Sequence, residues 1–221
     1  MFHHTTCHMR YAAKYERSQP VSELTDLYKE IQVCQECILS QGRTHAVPGE
    51  GPENADIMFI GEGPGFHEDR QGRPFVGAAG NYLEELLEKI NLKREEVYIT
   101  NVVKCRPPGN RDPQAAEIDA CRSYLDQQIV LIRPRLIVTL GRFSMQRYFP
   151  GASISRIHGQ PKRVGNVIYY PMFHPAAALH QPRWRSLVEE DMVRIPELLA
   201  KLEQLEEEQP EPPQAQQLSL F

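Results

Sequence analysis

The chain has 221 residues, a formal charge of −4 and five cysteines. The length fits one α/β domain with short extensions and is enough to bury a core, while no apolar run approaches the roughly 18 residues of a membrane span. The N-terminus lacks the basic and apolar regions of a secretory signal, and an odd cysteine count without one argues against a disulfide framework and for a metal site or a reactive thiol. A cytoplasmic, nucleoid-associated monomer is expected.

Residues 1–20 are a polar extension. Ser22 can cap a helix over 22–33, with Leu24, Leu27, Tyr28 and Ile31 at helical spacing. Residues 55–60 form an apolar run before a Gly-rich turn and read as a buried strand. A helix is predicted over 77–90, a second strand over 97–100, and then a Pro-rich loop over 105–113. A helix over 115–132 ends at Arg133-Pro134. The third strand spans 136–140, a short helix 141–149, and the fourth strand 167–172. A long helix over 185–205 is kinked or interrupted near Pro196. Strands alternating with helices predict a three-layer αβα sandwich with a short four-stranded parallel sheet. Ligands of such folds bind beyond the C-terminal ends of the strands. The loops at 61–65, 101–108 and 174–179 all follow strands, so they are expected to build one site. Residues 206–221 form a Glu/Gln/Pro-rich, disordered tail after a domain spanning 21–205.

At face value an acidic chain argues against nucleic acid. Residues 202–221, however, hold five Glu and neither Lys nor Arg, and −5 in the tail against −4 overall leaves +1 for residues 1–201. Basic clusters stand beside Gly/Pro-rich loops: Lys104, Arg106 and Arg111; Arg156, His158, Lys162 and Arg163; His180, Arg183 and Arg185. They favour a phosphate-contacting face.

Cys34 and Cys37 form a C-x2-C pair at the end of the first helix, Cys105 opens the Pro-rich loop, and Cys121 lies in the helix that follows. Four thiolates can hold zinc or an iron–sulfur cluster. Spacing alone leaves both open, and buried free thiols are the alternative. Cys7 stands apart in a His-rich segment.

Gly61-Glu62-Gly63-Pro64-Gly65 is a poor dinucleotide fingerprint, because Pro64 removes an amide and Phe66 replaces the third Gly. The longer string through Phe75-Val76-Gly77-Ala78-Ala79-Gly80 places carboxylates, an aromatic ring and flexible backbone in one loop, which suits a planar ligand. That string resembles the first motif of the family 4 uracil-DNA glycosylases. Tyr98-Ile99-Thr100-Asn101-Val102-Val103-Lys104-Cys105-Arg106-Pro107-Pro108 and His174-Pro175-Ala176 are similar to later motifs in the same order. The resemblance covers about residues 22–202.

The resemblance implies a monofunctional enzyme that extrudes uracil from single- and double-stranded DNA and hydrolyses its N-glycosidic bond. By it, Cys34, Cys37, Cys105 and Cys121 ligate a structural [4Fe-4S] cluster. Glu62 and Gly63 position the hydrolytic water, and His174 hydrogen-bonds the uracil O2 as charge develops there. Asn101 reads O4 and N3–H, a pattern that cytosine reverses. Phe75 stacks on the ring, and Glu68 stands as a wall against the thymine methyl. The sequence does not assign which carboxylate serves as base.

This chain departs from the family in two places. Ala176-Ala177-Ala178-Leu179 replaces a bulkier run, leaving Leu179 as the apolar wedge, with Arg183 and Arg185 as phosphate partners. Arg156-Ile157-His158 resembles an element by which a related branch is covalently trapped on DNA, but it lies after the third strand, where a phosphate-contacting loop is the favoured reading. The C-terminal Gln217-Leu218-Ser219-Leu220-Phe221 resembles the pentapeptide that docks bacterial repair proteins on the sliding clamp. Gln217, Leu218, Leu220 and Phe221 would make that contact from a flexible tether. The competing readings are a non-catalytic damage-sensing module tethered to the clamp, and a glycosylase captured on DNA through His158.

Overall fold

A computed structural model of the chain describes residues 22–207. The polar extension, with Cys7, and most of the predicted tail, with Gln217, Leu218, Leu220 and Phe221, lie outside the described residues. Helix α1 (Ser22–Val33) is followed by strand β1 (Ile57–Gly61), helices α2 (Phe66–Gln71) and α3 (Ala78–Lys89), and strand β2 (Tyr98–Asn101). Next come α4 (Ala115–Ile132), β3 (Leu136–Leu140), α5 (Arg142–Gln146), α6 (Ile154–Ile157), β4 (Lys162–Val164) and β5 (Val167–Met172). The described chain closes with α7 (Pro175–His180), α8 (Pro182–Val193) and α9 (Ile195–Glu207).

The sheet has five strands in the order β2-β1-β3-β5-β4. Four of them are parallel, as predicted; the fifth, β4, is an antiparallel edge strand paired with β5. The expected four-stranded count is corrected by this hairpin, which turns at Gly165 with φ +60°. Its three residues, Lys162, Arg163 and Val164, are all exposed. A strand with no buried face has no alternation to detect, and charge on it blunts an open sheet edge.

The parallel strands are buried on both sides, which is why they read as continuous apolar runs. Along β1, Ile57 and Phe59 enter a core with Leu83, Leu86, Leu87, Val188 and Met192 from α3 and α8. Met58 and Ile60 enter the opposite core with Leu24, Leu27, Ile31 and Leu125 from α1 and α4. Helices thus cover both faces, and the αβα layering stands.

The interruption expected near Pro196 is a break at Arg194 between α8 and α9, just before Pro196, whose missing N–H and ring cannot continue the turn. Helix α9 runs to Glu207, two residues past the predicted helix end at 205. The string after β1 is not one loop, because it holds α2 between two Gly-rich turns. No described helix is long and apolar enough to cross a membrane.

Candidate active site

Gly61 and Asn101 end β1 and β2 side by side in the sheet register, and His174 follows β5 directly. The chain leaves β1 toward β2 and later crosses to β3 on the other side, so a crevice opens at these strand ends. A cavity of about 540 Å³ occupies it, lined by Glu62, Gly63, Glu68, Phe75, Asn101 and His174 among others. Every residue expected to catalyse or bind the base therefore shares one cavity.

Asn101 is 1% exposed, and neither its Oδ1 nor its Nδ2 has a hydrogen-bond partner among the described residues. A buried unpaired amide is costly, on the order of 1–3 kcal/mol, and such groups mark places where a ligand supplies the missing partners. Gly61 makes room for it. A Cβ at Gly61 would stand 2.3 Å from the Asn101 Oδ1 and 2.7 Å from the Phe75 Cζ.

Phe75 sits in the left-handed region at φ +50°, which a bulky residue adopts only when its surroundings enforce it. Arg94 supplies the enforcement: its guanidinium donates to the Phe75 carbonyl at 2.9 Å and to the Pro74 carbonyl, while pairing with Glu84 and Glu50. Nothing in the sequence marked Arg94, because its partners are main-chain oxygens some twenty residues away. The Phe75 ring stacks on the His174 ring with centroids 5.5 Å apart.

The His174 Nδ1 accepts from the Ala176 N–H at 3.2 Å. That bond fixes the tautomer, leaving the proton on Nε2. Burial pushes the imidazole pKa down to about 4, against a smaller opposing effect of Glu68, so His174 is neutral at physiological pH. It is a hydrogen-bond donor without charge.

Glu68 is held more tightly than its expected role required. Its oxygens accept from the Gly65, Val76 and Gly77 N–H groups at 3.1, 2.8 and 2.8 Å. The carboxylate thus pins both ends of the loop that presents Phe75. Glu62 is raised in pKa chiefly by burial, although it accepts from the Phe143 N–H at 3.3 Å and from the Arg142 N–H. It reaches these amides because Gly141, at φ +93°, has no Cβ; one would lie 2.4 Å from the Glu62 Oε1.

The basic clusters are dispersed. Lys104 is 1% exposed and cannot face DNA. Its Nζ donates to the Thr100 Oγ1, Asn101 carbonyl and Gln128 Oε1 at 2.7, 2.8 and 2.6 Å. Arg111 pairs with Glu117, and Arg185 with Glu189 and Glu85. Arg183 and Arg156 are exposed. His158 does not line the cavity; its Nδ1 bonds Asp191 at 2.9 Å and its ring packs on Phe173. Leu179, on α7, is 44% exposed.

Cys34, Cys37, Cys105 and Cys121 line one small cavity between α1, the loop after β2, and α4. Arg43 donates to the Cys105 Sγ at 3.0 Å and the Lys104 N–H to the Cys121 Sγ at 3.3 Å. Burial raises both thiols, Cys121 to about 11. Among the described residues, no group of three or more His, Cys, Asp or Glu is arranged around a single ion. Four thiols around one cavity, with N–H donors aimed at two of the sulfurs, are the donor set that a four-iron cluster would use.

The sequence profile of the Uracil DNA glycosylase superfamily matches residues 48–199. A type-4 uracil-DNA glycosylase of Sulfurisphaera tokodaii is 48% identical over 80% of this chain and 86% of its own length. The chain belongs to the uracil-DNA glycosylase superfamily, in its type-4 branch. Type-4 uracil-DNA glycosylases of Archaeoglobus fulgidus and Saccharolobus solfataricus are 46% and 47% identical over 82% and 77% of this chain, and 96% and 84% of their own lengths. For a member of that superfamily, the unpartnered amide and the neutral imidazole become groups to be weighed against a nucleobase.

Proposed function

We propose that this chain is a uracil-DNA glycosylase that turns uracil out of DNA, hydrolyses its N-glycosidic bond and so opens base-excision repair. The observation that carries the reading is the buried, unpartnered Asn101 amide, set in one cavity with a neutral His174 and the Phe75 ring. The uracil stacks on Phe75, the Asn101 Nδ2 donates to O4, and its Oδ1 accepts from N3–H. As the C1′–N1 bond breaks, its electron pair passes to the base, and the His174 Nε2–H donates to O2. Water adds to C1′ on the side of Glu62 and Gly63 and gives up its proton. We assign its receipt to Glu62, a reading supported by the rise in its pKa on burial. Glu68 holds the loop that shapes the pocket around the ring, including its edge at C5.

Leu179 fills the gap left in the stack, supported by its exposure at the end of α7. Arg156, Arg183 and Arg185 contact phosphates, Arg156 from α6, at whose C-cap His158 stands, and the other two from α8. We assign a [4Fe-4S] cluster to Cys34, Cys37, Cys105 and Cys121, where it fastens α1 and α4 to the loop that follows Asn101. Ordinary turnover is favoured over capture through His158, because that ring is already engaged by Asp191 outside the cavity.

The test is release of free uracil from single- and double-stranded oligonucleotides by full-length protein, read on a denaturing gel. Product strands with alkali-labile abasic sites and no adduct are expected. Binding without release would make the protein a damage-sensing module, and a denaturant-resistant adduct would establish capture. The C-terminal Gln217, Leu218, Leu220 and Phe221 are proposed to dock on the sliding clamp. Deleting residues 217–221 should abolish clamp binding in a pull-down while leaving excision from short oligonucleotides intact; equal binding by the truncated chain would refute the assignment.

A further inference from the structure

Phe66 is the first residue of α2 and stands at the mouth of the base cavity, yet 45% of it is exposed. It belongs to neither hydrophobic core. Two guanidiniums approach its ring, Arg106 at 5.1 Å and Arg70 at 5.7 Å from the centroid, and the His67 ring meets it edge-on at 5.5 Å. Arg106 is steadied by donating to the Oδ1 of Asn110, a lining residue of the same cavity, at 2.7 Å. Among the described residues neither Arg70 nor Arg106 has a carboxylate partner, in contrast to Arg111, which lines the cavity and pairs with Glu117.

An exposed aromatic face flanked by uncompensated guanidiniums is the composition of a single-strand stacking platform. The ring takes a base of any identity, and the cations hold the adjoining backbone. We infer that Phe66 stacks on an unpaired nucleobase next to the extruded uracil, with Arg70 and Arg106 turning onto the phosphates that flank it. The platform is continuous with the uracil cavity, so it is within reach of a neighbouring nucleotide on the same strand. It is distinct from the Phe75 face, which serves the uracil itself. It also differs from Leu179, which would fill the vacated position in a duplex. In single-stranded DNA there is no partner base to hold the neighbour, so the platform matters most there. The inference rests on the glycosylase reading.

The test is a cycle between protein and DNA on uracil-containing single strands. Wild type and Phe66→Ala are each measured on an intact strand and on strands in which the 5′ or the 3′ neighbour of uracil lacks its base. Loss of the neighbouring base on one side should lower the wild-type kcat/KM by about 5- to 100-fold. Phe66→Ala on the intact strand should lose a similar factor, and the two losses should not multiply. Phe66→Trp should recover most of it. Phe66→Leu, apolar but without a flat face, should behave like Phe66→Ala and guards against misfolding of the smaller variant. Free uracil should inhibit all of them equally. Losses that multiply at both flanks, or a weakened response to free uracil, would overturn the platform. Absence of uracil release by wild type would instead fail the glycosylase reading.

Discussion

Asn101→Ala should melt at or slightly above the wild-type temperature while losing uracil release by at least about 10³-fold. The two halves of this result have one cause. In the free protein the amide is buried and has no hydrogen-bond partner among the described residues. Removing it deletes a desolvation penalty on the order of 1–3 kcal/mol, against a small loss of packing beside an existing cavity. In the proposed complex the same amide would supply a donor and an acceptor to the base, and alanine would leave the O4 and N3–H of uracil unpaired in a dry site. Thermal unfolding and single-turnover excision measure the two halves separately. A variant that melts several degrees lower yet still excises uracil would make Asn101 a structural amide.

His174→Ala should reduce kcat by about 10²- to 10³-fold, the range for removing one donor from a developing anion. KM should change little, because that donor matters most in the transition state. The pH dependence follows from the pKa of about 4. Since the folded value lies below the ordinary histidine value, the imidazole stays neutral, with its proton on Nε2, as pH falls through the mid-sixes. It charges only near 4. Wild-type single-turnover rates should therefore show no step at the usual histidine pKa of about 6.5. A profile that titrates there in wild type and not in His174→Ala would mean that the imidazolium, or an exposed imidazole, is the acting form.

Much of the fold was legible because the parallel strands and the amphipathic helices bury recognisable faces. Helix α4 was read over its observed span, since Pro134 beyond its end is a local stop signal; the capping of its start by Glu117 was seen only in the structure. Strand β4 was not legible, because it buries nothing. Helix α2 was missed because glycines crowd both of its ends, and its six residues are too few for a period to emerge. At the site, the residues at strand ends were legible as motif positions. Their supports were not. Lys104 looked like a surface cation in sequence and is a buried node beneath Asn101. Arg94 carries no local pattern, and its work on the Phe75 and Pro74 carbonyls appears only when the chain is folded.

The two-sided burial of β1 has a consequence for how this chain can vary. Ile57 and Phe59 belong to one core, Met58 and Ile60 to the other, and the strand delivers Gly61 beside Asn101. Parity is strict in a strand, so inserting or deleting one residue there would exchange the two cores' side chains and carry Glu62 out of alignment with its amides on α5. Connections such as the one between α5 and α6 can lengthen or shorten without that penalty. The spacing of the active residues is therefore kept by counting along a strand, and drift in length is confined to the connections.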